Sequence, residues 1–74
     1  MEYEIITEIF NPCAGDRPVS TNFEEKMIDD PESYVRSLHA SEAALELTKK
    51  EENGSLIIEI NIKGNITRFT FTEA

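Results

Sequence analysis

The segment Asn11-Pro12-Cys13-Ala14-Gly15-Asp16-Arg17-Pro18 concentrates the residue types that could do chemistry. It holds the only cysteine, with an arginine four residues later. Cysteine reacts as the thiolate, and a neighbouring cation favours that form. Asp16 partly offsets Arg17. Gly15 permits positive φ and close backbone approach, so N–H groups could converge on an anion. Pro12 and Pro18 restrict the loop and would hold the thiol in place. Two site expectations follow. Cys13 is a candidate catalytic or redox thiol. Cys13, Gly15 and Arg17 together are a candidate small-ligand or anion site. The competing structural reading makes Cys13 a small buried hydrophobe in a rigid loop.

His39 is the only histidine and could serve Cys13 as a base if the fold brings them together. Its structural reading is a helix C-terminal residue that complements the macrodipole. The carboxylates occur as adjacent pairs, Glu24/Glu25, Asp29/Asp30 and Glu51/Glu52. Adjacent residues on a strand point to opposite faces, so such pairs chelate poorly and read as a solvated acidic surface. EF-hand spacing is absent. One Cys and one His fall short of a structural zinc set, so neither metal nor cofactor is expected. No phosphate loop, dinucleotide fingerprint, His-Glu-x-x-His or Gly-x-Ser-x-Gly motif occurs.

The elements that would position these residues are legible in the alternation. Leu56, Ile58, Ile60 and Ile62 recur at every second residue, which is a strand with one buried face. Gly64-Asn65 interrupts it, with Gly64 suited to the first central position of a type II′ turn. Ile66 to Thr72 resumes the alternation, Phe69 and Phe71 on one face and Arg68, Thr70 and Thr72 on the other. Asn53-Gly54 is a strong hairpin signal and calls for a partner strand over Ala43–Lys50. The same segment has helix-forming residues, with Ser41 as a cap and Gly54 as a stop. The strand is preferred because the turn needs a neighbour.

Asp30-Pro31 starts a helix that runs to His39, with Asp30 as N-cap and Pro31 in the first turn. Tyr34, Val35 and Leu38 form its apolar stripe. So short a helix must pack on a sheet to be stable. Tyr3, Ile5, Thr7 and Ile9 alternate with Glu4, Ile6, Glu8 and Phe10, a strand with apolar residues on both faces. Residues 19–29 read as an extended return strand, with a helical turn from Thr21 as the alternative. The order is therefore β-β-α-β-β-β, or β-α-α-β-β-β under that alternative. Both are α+β: a mainly antiparallel sheet, a C-terminal three-strand meander, and one helix layer on one face. Ile6, Phe10 and Ile57 are expected on the face the helix leaves open.

Composition bounds the function. The chain has 74 residues, a formal charge of −8 and 39% hydrophobic residues. That length implies a single domain over 1–74 and excludes multidomain enzymes. The acidic balance disfavours nucleic acid, which binds through phosphate neutralisation. A lone cysteine forms no intrachain disulfide, so a stapled secreted miniprotein is excluded. No signal peptide or membrane-spanning run is read, and the expected location is the cytoplasm. The triplets at Asn53 and Asn65 coincide with turn chemistry rather than glycosylation. A core this small rarely yields more than ~3–5 kcal/mol of net stability, which favours association, although like charges oppose it. With no complete catalytic constellation, the reading is a non-enzymatic protein-interaction module or homodimer. The alternatives are a thiol-dependent protein acting through Cys13, and small-ligand or anion binding at the 11–18 loop.

Overall fold

A five-stranded antiparallel sheet carries the structure, in the order β2-β1-β5-β4-β3. The computed structural model describes residues 1–15, 17–39, 45–62 and 64–74. Its strands are β1 (Glu2–Phe10), β2 (Ser20–Met27), β3 (Glu46–Glu52), β4 (Ser55–Ile62) and β5 (Asn65–Glu73). Among the described residues there is also one helix, α1 (Pro31–Leu38), and a short 3-10 turn at Pro12–Ala14. The α+β class, the return strand over 20–27 and the C-terminal meander all stand. The early part of the expected strand before Asn53 lies outside the described residues; its later part is β3.

The topology explains why only one face is covered. β2 and β3 are the two edges of the sheet. The chain leaves one edge and re-enters at the other, so its connection, which contains α1, must cross the sheet. Ile5, Val35, Ile58, Ile60, Phe69 and Phe71 are nearly inaccessible, and Ile28 closes the core beside them. Register confirms that the strand members share a face: Ile5 lies opposite Phe71, and Phe69 opposite Ile58.

Polar contacts tie α1 down on both sides. The Tyr34 hydroxyl donates to Glu24 Oε1 on β2 at 3.2 Å, and the Tyr34 ring meets Phe71 edge-on at 6.2 Å. Lys49 on β3 pairs with Glu32 at 2.9 Å, and Arg36 joins that carboxylate at 3.2 Å. The Lys49 and Arg36 hydrogen bonds hold Glu32 below the usual carboxylate range, and Glu32 raises Lys49 in return.

Three local expectations need correction. Leu38 is 52% exposed, and the buried helix residues are Pro31 and Val35. His39, just past the helix, takes the place over Phe69 instead, with ring centroids 6.5 Å apart. Asp30 stands at the N-cap position but makes no side-chain cap bond. Its carboxylate accepts the Ser33 hydroxyl at 2.7 Å, which lowers its pKa. The β4–β5 turn sits one residue earlier than expected, since Ile62 faces Asn65. Gly64, at φ 87°, is therefore the second central residue and not the first. The other hairpin follows its sequence signal: Glu52 faces Ser55, with Asn53 at φ 53° and Gly54 at φ 82°. Positive φ at both central residues is the type I′ geometry that matches strand twist.

Candidate functional sites

The 11–18 loop leaves β1 through the 3-10 turn. The Asn11 side chain caps that turn, accepting the Cys13 backbone N–H at 2.9 Å. Gly15 follows at φ 74° and ψ −142°, a conformation strained for residues with a side chain. The described part of the loop is exposed, Cys13 and Arg17 included. Exposure removes the reading of Cys13 as a buried hydrophobe: the turn follows the end of β1 and lies outside the core. Among the described residues no hydrogen bond joins Cys13 to His39, whose ring packs on Phe69.

Beside this loop lies a depression of about 330 Å³, whose lining includes Phe10, Asn11, Pro12, Gly15, Glu59, Ile66 and Arg68. Of the three ligand candidates only Gly15 borders it; Cys13 and Arg17 do not. The cation here is Arg68, which the sequence places only as a face partner of Thr70 and Thr72. Arg68 donates to Glu59 at 2.8 Å, lies 3.7 Å from Glu8, and covers the Phe10 ring at 4.9 Å. A guanidinium held by two carboxylates is a poor anion site, because an incoming anion must displace them. Among the described residues no group of three or more His, Cys, Asp or Glu side chains could hold a metal ion.

The depression belongs to a larger feature, the sheet face opposite α1. Register orders its side chains into rows that cross the strands. One row is Phe23, Ile6, Thr70, Ile57 and Lys50, from β2 to β3. The row on one side is Thr21, Glu8, Arg68, Glu59 and Thr48. The row on the other is Glu25, Glu4, Thr72, Ser55 and Glu52, with Met27 and Glu2 beyond it. Phe10, Ile66, Asn61 and Glu46 form the last row, above the Arg68 network. No described element covers this face. Phe23 is 57% exposed, Met27 73% and Ile6 37%.

Ile6, Phe10 and Ile57 fall on the open face, where the sequence places them. Phe23 and Met27 are the additions. The alternation of β2 shows that they share a face, but which face depends on its register with β1, and pairing across two strands is not written in either one.

Among the described residues, no helix is long and apolar enough to cross a membrane. No protein-family model, curated protein or solved structure matches the chain.

Proposed function

We propose that this chain is a protein-interaction module that docks its partner on the open face of the sheet. The observation that supports this reading is the row Phe23–Ile6–Thr70–Ile57, in which three large apolar side chains flank one threonine in register across four strands, with no described element over them. Sheets commonly keep one face in water, but such faces alternate to polar residues. Here large side chains stand out from an acidic ground, the pattern of a recognition surface rather than of simple solvation. A second copy would make the module a homodimer. We place it in the cytoplasm, where a single exposed thiol stays reduced.

The test is site-specific photocrosslinking in cells that express the chain. A benzophenone amino acid replaces Phe23 on the open face or, as control, Leu38 on the helix. Docking on the open face gives a discrete adduct from position 23, absent from position 38 and abolished by Ile6→Lys. Equal adducts from both positions, or adducts indifferent to Ile6→Lys, would overturn the reading.

A further inference from the structure

We infer that the partner presents a Lys- or Arg-rich segment, and that it is received over β1 and β2; this rests on the docking reading above. The open face carries Glu2, Glu4, Glu8, Glu25, Glu46, Glu52 and Glu59 against only two described cations, Arg68 and Lys50. Both cations are engaged within the face: Arg68 with Glu8 and Glu59, and Lys50 with Glu52 at 3.5 Å. Glu2, Glu4, Glu25 and Glu46 have no described cation within ion-pair distance, and the first three cluster on β1 and β2 while Glu46 stands alone on the far edge strand. Within that β1–β2 cluster, Glu4 and Glu25 stand directly opposite each other. Like charges in that relation destabilise a strand pair, so the fold alone gives no reason for them.

The same quadrant holds the two most exposed apolar side chains of the strands, Met27 and Phe23, with Ile6 beside them. Phe23 and Ile6 lie on one side of the Glu4–Glu25 pair, and Met27 on the other. Same-face residues along a strand are roughly 7 Å apart, and neighbouring strands about 4.8 Å. That interleaving matches Lys and Arg, whose alkyl stems cover apolar surface while the charged head reaches past it. The stems would lie on Ile6, Phe23 and Met27, and the heads on Glu2, Glu4 and Glu25. The Phe23 ring adds a cation–π surface. Charge also argues against a second copy as occupant, since face-to-face pairing would bring two carboxylate-rich surfaces together.

The experiment titrates the isotope-labelled chain with a synthetic peptide that alternates arginine and leucine. The comparison peptide replaces each arginine with citrulline, which keeps the shape and removes the charge. The expected result is at least tenfold tighter binding of the arginine peptide, with amide shifts centred on Glu4, Ile6, Phe23, Glu25 and Met27. Glu4→Gln with Glu25→Gln should weaken it at least tenfold. The charge-matched control, Glu51→Gln with Glu73→Gln, should weaken it less than threefold, because those side chains face the other side. Equal binding of the citrulline peptide at these residues would overturn the basic-partner inference and leave docking on this face standing. Equal loss in the two double variants, or shifts scattered over the molecule, would overturn both. A dimer in sedimentation that buries Phe23 would overturn the basic partner in favour of a second copy.

Discussion

Ile57 and Ile58 are adjacent, identical and on opposite faces, and their substitution by Ala reads directly whether the open face is free. Ile58 is fully buried against Phe69, while Ile57 lies between Thr70 and Lys50 with part of its surface in water. Ile→Ala removes three carbons, about 0.8 kcal/mol each when buried, or ~2.4 kcal/mol of transfer free energy. The cavity left under α1 raises the Ile58→Ala cost to ~3–4 kcal/mol. Ile57→Ala, on a partly solvated row with no layer above it, should cost about 1 kcal/mol. Against the ~3–5 kcal/mol of net stability that a core this small supplies, the Ile58→Ala loss is most of the total. Urea unfolding followed by circular dichroism measures both. With a slope near ~1 kcal/mol per molar, the midpoint should fall by ~3 M for Ile58→Ala and ~1 M for Ile57→Ala. If Ile58→Ala is too unstable to fold, Ile58→Val should still cost ~0.5–1.5 kcal/mol. Equal losses at positions 57 and 58, together with a midpoint that rises with protein concentration, would mean that both faces are buried in an obligate assembly. That result would refute the free-face geometry.

Two further predictions follow from particular contacts. The Glu32 carboxylate is held below its ordinary range by Lys49 and Arg36. A lowered folded value means its contribution is present above the usual Glu value near about pH 4.3 and lost as pH falls through the folded one. Urea midpoints from pH 7 to pH 3 should therefore decline less steeply in Glu32→Gln than in the native chain; identical slopes would refute the link. Cys13 is exposed, so an alkylating reagent should label it in the folded state without prior unfolding. Cys13→Ser should shift the urea midpoint little, because the thiol adds no core packing. Labelling only in denaturant would contradict its position on the turn.

The local elements were legible because each has its cause within a few neighbouring residues. Asn53-Gly54 specifies its turn through two positive φ values, and the Leu56–Ile62 alternation exposes its buried face by period alone. The helix start follows from Asp30-Pro31, although the carboxylate answers Ser33 and not a backbone N–H. What the sequence withholds is set by contacts between distant segments. Leu38 completes a correct helical stripe, yet His39 occupies the place over Phe69, and an eight-residue helix cannot fill the sheet beneath it. The candidate site divides along the same line. The 11–18 loop was visible as composition, but Arg68 stands 51 positions beyond Arg17 in sequence and reaches the loop only through β1–β5 pairing.

That distinction also ranks the functional readings. A thiol or anion site at the loop would need its chemistry assembled by local geometry, and the cation that borders the depression is already held by Glu8 and Glu59. The open face, in contrast, is assembled by the whole sheet. Phe23, Ile6 and Ile57 share a row only because β5 brings β1 and β4 into register around Thr70, and the carboxylates of β1 and β2 cluster only because those strands pair as they do. The backbone ladder itself would be satisfied by Thr, a strand-forming residue with a polar hydroxyl, at positions 6, 23 and 27. The helix layer makes no use of them, and water disfavours them. Side chains that α1 and the core leave unused, set among carboxylates without described cations, are the observation on which the proposed docking surface rests.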